Sequence, residues 1–209
     1  MSMFITLEGP DGSGKTTQAR MLTEWLREQG HQVVLTREPG GTDIGDQIRQ
    51  VLHDPHNTAM DARAEILLYS ASRAQHVAQC IQTALAAGKV VISDRYADST
   101  LAYQGYGRGL DLKTLRAITT FATGGLTPNL TLYLDIAPQE GLQRRRLSGD
   151  EWNRLDAETL EFHQRVRAGY LELVKQEPGR WVVIHAARPI EEVQAEIRAL
   201  VQAKLDAGC

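Results

Sequence analysis

The chain has little cysteine and no long apolar run, and both shortages narrow its class. Its two cysteines, Cys80 and Cys209, stand far apart in 209 residues. This spacing argues against a structural disulfide or a cysteine metal site and favours a reducing compartment. No stretch reaches the length of a membrane span, and the first residues lack the basic and apolar segments of a signal peptide. We therefore expect a cytoplasmic protein without a membrane partner.

An excess of basic residues is lacking as well. The net charge is −3 and the pI is about 6.1, whereas nucleic-acid binders usually carry a broad basic face. We expect no nucleic-acid partner. Hydrophobic residues make up 42% and charged residues 23% of the chain, which suits a compact enzyme with a real core. Repeats and low-complexity linkers are not found, so a single domain over residues 1–209 is expected.

The most informative stretch runs from Gly9 to Thr16 and reads Gly-Pro-Asp-Gly-Ser-Gly-Lys-Thr. It matches the phosphate-loop pattern G-x-x-x-x-G-K-[ST], in which glycines free the backbone N–H groups to surround an anion. An apolar strand precedes it and a helical pattern follows, which places the phosphates of a nucleotide at a helix N-terminus. The residues expected to bind the nucleotide are Gly9, Pro10, Asp11, Gly12, Ser13, Gly14, Lys15, Thr16 and Thr17.

Short β-branched runs alternate with long amphipathic segments along the chain. The strands are expected at 3–7, 31–36, 89–93, 130–134 and 181–184. The helices are expected at 17–29, 43–53, 62–87, 112–122, 138–146, 157–176 and 189–203. This alternation predicts an α/β fold, a doubly wound five-stranded parallel sheet flanked by helices, as in P-loop NTPases.

Charged side chains follow two of the predicted strands. Arg37 and Arg95 would reach the same sheet edge as Lys15, where ligands of open α/β sheets bind. Because arginine recognises phosphate bidentately, two of them indicate a second anionic substrate. Asp94 is placed to help hold Mg²⁺ with the hydroxyl of Thr16; its alternative role is a cap for a helix that begins near residue 98.

Two segments suggest a pocket for a nucleobase. Tyr69 and Arg73 are four residues apart in a predicted helix and share a face. Tyr103 and Gln104 add an aromatic ring and an amide that can both donate and accept. Taken alone, Tyr69 would more often be a core aromatic and Gln104 a surface residue.

The polar segment 144–156 lies between two predicted helices and carries Arg144, Arg145, Arg146 and Arg154. Such a charged run is often a solvated loop. In a nucleotide-binding fold we instead expect a mobile lid, here called the lid segment, that closes over the phosphates.

Taken together, these motifs resemble the thymidylate kinases of bacterial type, over about residues 4–200. The resemblance is carried by the segments 7–17, 36–42, 72–76, 94–96 with Ser99, 102–105 and 154–156. Arg-Glu-Pro-Gly-Gly together with Tyr-Gln-Gly is the specific part. The resemblance implies phosphorylation of dTMP to dTDP for DNA precursor synthesis, with ATP and Mg²⁺ as cofactors, by a homodimer.

The resemblance also implies individual roles. Asp11 would contact the sugar 3′-hydroxyl of dTMP, and Arg37 and Arg95 would hold its phosphate. The base pocket would be formed by Tyr69 stacking on thymine, Arg73 and Gln104 bonding its edge, Ser99 beside the base and Tyr103 crowding the 2′ position. Lys15, Thr16 and Mg²⁺ would hold ATP, with Asp94 as the second metal residue.

The chain departs from the family at three places. Tyr69 stands where phenylalanine is usual, and Asp156 stands where glutamate is usual. The lid has three consecutive arginines in place of an alternating Arg-x-Arg-x-Arg-Gly pattern. Which lid arginine reaches the transferred phosphoryl therefore stays open, with Arg146 and Arg154 favoured as catalytic residues beside Lys15 and Arg95.

The acceptor in this reaction is itself a phosphate, which is mostly ionised at neutral pH. Positioning and charge neutralisation then suffice without a general base. A deoxynucleoside kinase is the nearest alternative, and there Asp94 or Glu8 would have to act as base. Another small-molecule P-loop kinase would leave the base pocket unexplained. A GTPase switch would need an Asn-Lys-x-Asp motif, which the chain lacks.

Overall fold

A computed structural model describes residues 2–147, 149 and 153–208. Five parallel strands form one sheet in the order β2-β3-β1-β4-β5. The strands are β1 (Met3–Glu8), β2 (Val33–Arg37), β3 (Val90–Asp94), β4 (Leu130–Asp135) and β5 (Trp181–His185). The predicted α/β class, strand number and parallel order are confirmed.

The helices are α1 (Lys15–Glu28), α2 (Asp43–His53), α3 (Ala62–His76), α4 (Gln82–Ala86), α5 (Ala97–Thr100), α6 (Leu112–Thr123), α7 (Pro138–Leu147), α8 (Leu160–Gln176) and α9 (Ile190–Asp206). Two π-helical segments, Val77–Ile81 and Leu101–Gly107, continue α3 and α5. No helix of the described chain is long and apolar enough to cross a bilayer.

The core lies on both faces of the sheet because the central strands are buried throughout. On β1, Met3, Ile5 and Leu7 face α1 and α9. Phe4 faces the opposite side, where the segment after α3 packs. Since side chains alternate along a strand, Glu8 also faces that opposite side. The last residue of a buried strand is thus aimed at the helices that follow β3.

The boundaries differ from expectation at several places, and the helix expected over 62–87 is divided into α3, a π-helical segment and α4. The strand expected from residue 31 begins at Val33, and the helix expected from 157 begins at Leu160, after the cap Thr159. A helix near residue 98 was considered only as the element that Asp94 would cap, and no helix was assigned over Ala97–Gly107, where two of the residues are glycines with poor helix propensity. Tertiary packing explains it, because a Cβ on Gly107 would lie 2.7 Å from the Phe162 ring of α8.

Candidate active site

The phosphate loop connects β1 to α1 and holds its lysine inward. Lys15 is 6% exposed. Its Nζ donates to the carbonyls of Gly9 at 3.0 Å and Pro10 at 2.8 Å and to the Ser13 hydroxyl at 3.3 Å. Burial lowers the pKa of Lys15 to about 8, and the nearby positive charge of Arg95 adds to this shift. The phosphate loop therefore surrounds the ammonium group of Lys15. The negative charge of bound phosphates would attract this group outward.

Thr16 and Asp94 meet at the carboxyl ends of β1 and β3. The Thr16 hydroxyl donates to Asp94 Oδ2 at 2.5 Å. The alternative in which Asp94 caps the next helix is wrong, since the residue preceding α5 is Tyr96 and makes no side-chain cap. A hydroxyl and a carboxylate at the mouth of a phosphate loop are hard oxygen donors, which suit Mg²⁺.

Arg95 occupies a left-handed backbone conformation, with φ 73°, directly after β3. Its Nη2 donates to Asp11 Oδ1 at 2.5 Å and to the Tyr103 hydroxyl at 3.1 Å. Its Nη1 donates to the Gly9 carbonyl at 2.9 Å. The guanidinium also lies 5.0 Å from the centre of the Tyr103 ring. Arg95 therefore joins the phosphate loop to the helix after β3.

Asp11 is the acidic partner of this arginine. Tyr103 donates its hydroxyl to Asp11 Oδ2 at 2.8 Å. Burial would raise the pKa of Asp11, but the charges of Arg95 and Lys15 hold it well below its usual range. Asp11 is therefore a carboxylate at any pH at which the protein works.

Glu8 lies behind Arg95 and carries no motif that marks it as a site residue beyond its place before the loop. It is fully buried. Ser99 donates to Glu8 Oε2 at 2.6 Å, Tyr170 donates to the same oxygen at 2.8 Å, and the Tyr96 backbone N–H donates to Oε1 at 2.8 Å. Burial, together with the charge of Asp98, raises the pKa of Glu8 to about 7.

Two further arginines face the same cleft. Arg37 ends β2 and pairs with Asp46 at 3.2 Å, with 55% of its side chain exposed. Arg49 on α2 donates to the Pro39 carbonyl at 3.0 Å and lines the cleft, although no motif singled it out. The sequence signal that could have indicated Arg49 is its position four residues before His53 on α2, since residues four apart share a helix face. Burial lowers the pKa of His53 to about 4, so this histidine adds no charge near neutral pH.

The residues predicted to form the base pocket lie on α3 and on the π-helical segment after α5. Arg73 is 2% exposed, and its donors reach Glu38 at 2.7 Å, Thr100 at 3.0 Å and the Tyr96 carbonyl at 3.2 Å. Tyr69, one turn earlier, lines the same cleft. An arginine held from three sides presents a fixed edge to a ligand.

Glu65 organises the other half of this pocket. It accepts from Gln104 Nε2 at 2.8 Å, from Arg108 Nε at 2.7 Å and from Arg154 Nη2. Glu65 is 1% exposed and was not recognised from the sequence. Because the Glu65 carboxylate only accepts hydrogen bonds, it fixes the Gln104 side chain with the amide nitrogen toward Glu65. The amide oxygen is left to accept from another donor.

The lid segment is described at residues 144–147, 149 and 153–156, and the remainder lies outside the described residues. Arg144 binds Glu140 at 2.7 Å and the Ala186 carbonyl at 2.9 Å. Arg145 pairs with buried Asp156 at 3.1 Å. Arg154 bonds Glu65 and the Leu52 carbonyl and is 10% exposed, while Arg146 is exposed in the last turn of α7. The catalytic role expected of Arg146 and Arg154 stays a prediction.

One cleft of about 1600 Å³ contains most of the predicted residues. Its lining includes residues 11–17, Arg37, Tyr69, Arg73, Asp94, Arg95, Ser99, Tyr103 and Gln104. It continues past α1 to Arg144, Ala186, Arg188 and Ile190; of these, only Arg144 of the lid segment was singled out from the sequence. The carbonyls of Gly9 and Pro10 accept hydrogen bonds from Lys15 Nζ.

A family model described as thymidylate kinase matches residues 7–197. The chain belongs to the thymidylate kinase family. It is 54% identical to a thymidylate kinase of Roseiflexus sp. (strain RS-1), covering 97% of this chain and 94% of the relative. It is 50% identical to one of Bacillus pumilus (strain SAFR-032), covering 96% and 95%. The crystal structure of thymidylate kinase from Ehrlichia chaffeensis matches with a TM-score of 0.77 at 35% identity, covering 96% and 98%.

As a thymidylate kinase, the chain phosphorylates dTMP to dTDP, and the family implies ATP as the phosphate donor. The expected family, fold and reaction are thereby confirmed. The deoxynucleoside kinase and the other small-molecule kinases are set aside. The geometry agrees for Glu8, which is fully buried and already accepts from Ser99, Tyr170 and the Tyr96 N–H, so it offers no base to an acceptor hydroxyl.

Proposed function

We propose that dTMP binds between the phosphate loop and α3, with its phosphate toward Arg37, Arg49 and Arg95. ATP lies along the phosphate loop, and its adenine extends to the region of Arg144 and Arg188. The observation that carries this proposal is the position of Arg95. Its guanidinium joins Gly9 and Asp11 of the loop to Tyr103 of the opposite wall, midway between the two subsites.

The thymine edge presents an acceptor, a donor and an acceptor. The Gln104 amide nitrogen is engaged by Glu65, so the amide oxygen is left to accept from the base N–H. Arg73 supplies donors for a base carbonyl from its fixed position, and Tyr69 supplies the aromatic face. Asp11 and Tyr103 meet the sugar side, which agrees with a 3′-hydroxyl donor and with exclusion of a 2′ substituent. The Ser99 hydroxyl contacts Glu8 and Arg95, and its role beside the base stays a prediction.

Mg²⁺ fits the pair formed by Thr16 and Asp94, which lies at the loop mouth and has only oxygen donors. Clusters of three or more acidic, histidine or cysteine ligands are not found in the described residues, as suits an ion that binds mainly to phosphates and water. When bound, the ion neutralises charge on the ATP phosphates. The chain's own part is to align the two anions. Lys15 and Arg95 offset their repulsion, and no proton needs to be removed from the acceptor.

Two wider features belong to the proposal. The lid segment closes over the transferred phosphoryl and brings an arginine to it. The chain also acts as a homodimer through α2, α3 and α6, which pack side by side and expose Ile44, Val51, Leu67 and Phe121. We place its work in the cytoplasm, where its nucleotide substrates are made and used.

The assignment of Arg95 is tested by replacing it while keeping thymidine as a phosphate-free probe. We expect Arg95→Ala to lower kcat/KM for dTMP by about 100-fold or more, since a charge-assisted phosphate contact is lost. Competitive inhibition by thymidine should change little. ADP release by the wild-type protein should require dTMP and should not occur with thymidine.

Arg63→Ala is the matched control, because Arg63 is 85% exposed and pairs only with surface Asp61 among the contacts described here. Its kinetic constants should equal those of the wild type. Equal weakening of thymidine and dTMP by Arg95→Ala would show that Arg95 does not hold the phosphate.

A further inference from the structure

Arg95 is held by a second layer of side chains that the reaction does not itself require. Besides the Gly9 carbonyl, its Nη1 lies 3.4 Å from the Ser99 hydroxyl and 3.4 Å from the Tyr170 hydroxyl. These two hydroxyls are 2.9 Å apart, and both donate to Oε2 of Glu8. One carboxylate oxygen thus controls both of the hydroxyls that face the arginine.

We propose that Glu8 is a positioning residue for Arg95: by taking the protons of Ser99 and Tyr170, it turns both hydroxyl oxygens toward the guanidinium. The proposal rests on the function of Arg95 proposed above. Each hydroxyl has one proton. When both protons go to an ionised Glu8, the remaining lone pairs converge on Nη1 and fix that side of the guanidinium. The Nη2 side then stays available to exchange Asp11 for a substrate phosphate.

Protonation of Glu8 reverses this arrangement. A protonated Oε2 donates to one hydroxyl, which donates to the other, which donates back to Glu8, and the three groups close a ring. One hydroxyl oxygen then accepts from Glu8 and the other accepts from the first hydroxyl, so each has one lone pair fewer for Arg95 and their hold on it weakens. The positioning of Arg95 is therefore strongest when Glu8 is ionised.

The surroundings of Glu8 include charges of both signs. Arg95 favours its ionised form, and Asp98 of α5 opposes it, although Asp98 is itself paired with Arg180 at 2.6 Å. The charge of Glu8 also acts on Lys15 of the phosphate loop, whose pKa it raises. Tyr170 of α8 and Ser99 of α5 donate to it directly. With burial the pKa of Glu8 stands at about 7, so its charge changes within the working range of the enzyme.

The test is Glu8→Gln, which keeps the shape and removes the ionisation. The Tyr96 N–H requires the amide oxygen at the Oε1 position, so the amide NH₂ faces Ser99 and Tyr170 and forces a hydroxyl proton toward Arg95. We expect kcat/KM for dTMP to fall about tenfold, a loss of about 1.4 kcal/mol. KM for ATP and inhibition by thymidine should stay within about twofold, since no contact to either depends on Nη1.

The pH profile provides a readout that a purely structural role would leave unchanged. In the wild type, log kcat/KM for dTMP should rise through two ionisations, the substrate phosphate near about 6 and Glu8 at about 7. Glu8→Gln should retain the lower step and lose the upper one. Tyr170→Phe should raise KM for dTMP but keep both steps. In the double variant with both Glu8→Gln and Tyr170→Phe, the loss of kcat/KM for dTMP should be smaller than the product of the two single losses. The reason is that removing the Tyr170 hydroxyl leaves fewer donors crowded around the amide NH₂.

The matched control is Glu172→Gln, on the same helix as Tyr170. Glu172 is half-exposed and paired with Lys175, so this variant should behave as wild type. Persistence of the upper step in Glu8→Gln overturns the proposal. So does an equal loss for dTMP and thymidine, which would indicate a general disturbance of the fold. Failure of Arg95→Ala to affect dTMP would instead refute the assignment of Arg95. If Glu8→Gln does not fold, Ser99→Ala and Tyr170→Phe carry the test, and normal dTMP kinetics in both would overturn it.

Discussion

At the scale of single residues, the side chains proposed to form the base pocket are held by buried carboxylates. Glu38 holds Arg73 and His76, and Glu65 holds Gln104, Arg108 and Arg154. A buried carboxylate is stable only when it is paired in this way. The positions of the residues proposed to recognise dTMP are thus fixed by buried acids.

Gln104 provides the first test at this scale. We expect Gln104→Leu to raise KM for dTMP by about 5- to 30-fold, the effect of losing about 1–2 kcal/mol of hydrogen bonding. KM for ATP should stay unchanged, because Gln104 lies on the opposite side of Arg95 from the phosphate loop. Gln79→Leu, at an exposed glutamine, is the control. Equal changes for both substrates, measured by steady-state kinetics, would place the base elsewhere.

His76 provides a test of stability against pH. It is fully buried, with Nδ1 3.1 Å from Glu38 Oε1 and Nε2 2.7 Å from the Thr36 hydroxyl. Burial would lower its pKa, but hydrogen bonds with Cys80 and Glu38 raise it to about 9. Because the folded pKa exceeds the unfolded value of about 6.5, the stabilisation is complete below about 6.5 and is lost as the pH rises through 9.

We therefore expect His76→Gln to lower the free energy of unfolding most at pH 6 and progressively less toward pH 10. The pH-dependent part of the difference should be on the order of 2 kcal/mol. Urea unfolding of both proteins across this range measures it, and the subtraction cancels the titration of groups that do not interact with His76. The same pair of variants in a Cys80→Ser background removes the thiol that bonds to His76. A constant difference from pH 6 to pH 10 would show that His76 is neutral in the folded protein.

At the scale of elements, α7 packs directly on the phosphate loop. A Cβ on Gly12 would collide with the Gly141 carbonyl, and a Cβ on Gly141 would lie 2.5 Å from the Asp11 carbonyl. No side chain fits at Gly12 in this packing, so the phosphate loop supplies no arginine at that position. We therefore expect the cation for the transferred phosphoryl to come from another element, and the last turn of α7 carries three of the four lid arginines.

We expect at least one single change among Arg144→Ala, Arg145→Ala, Arg146→Ala and Arg154→Ala to lower kcat strongly, by about 10³-fold where the arginine meets the transition state. KM for dTMP should change little for that variant, the signature of a contact made mainly in the transition state. Arg146 and Arg154 are the favoured positions. Pre-steady-state and steady-state kinetics of the four variants decide it. If all four variants kept the wild-type kcat, the lid segment would be a solvated loop without a catalytic role.

At the scale of the whole molecule, the exposed apolar residues of α2, α3 and α6 bear on association. Phe121 is 89% exposed and Leu67 is 59% exposed on neighbouring helices. We expect the wild type to sediment as a dimer and Phe121→Glu to shift it toward the monomer, since a buried charge opposes the interface. Leu147→Glu, at a residue 79% exposed on α7, should leave the mass unchanged. A monomeric wild type at micromolar concentration, by analytical ultracentrifugation, would refute the dimer.

The sequence by itself determined the phosphate loop, the five parallel strands and the cleft at their carboxyl ends. These features are encoded locally, in a strand–loop–helix motif and in the alternation of apolar runs with helical patterns. Arg37 and Arg95 were placed at this edge because each follows a predicted strand, and Tyr69 and Arg73 were placed on one face by helical spacing. Gln104 was added for its amide chemistry and the resemblance, and all five line the same cleft. Their individual roles as substrate contacts stay predictions.

Only the tertiary structure decided which side chains hold these residues in place. Glu8 meets Tyr170 across 162 positions, and Glu65 meets Arg154 across 89. It also revealed Arg49, Arg188 and the helix over Ala97–Gly107. These pairings follow from burial, because a carboxylate enclosed by the fold is stable only when it accepts hydrogen bonds. The chain topology decides which donors lie near it. Local periodicity carries no information about that choice.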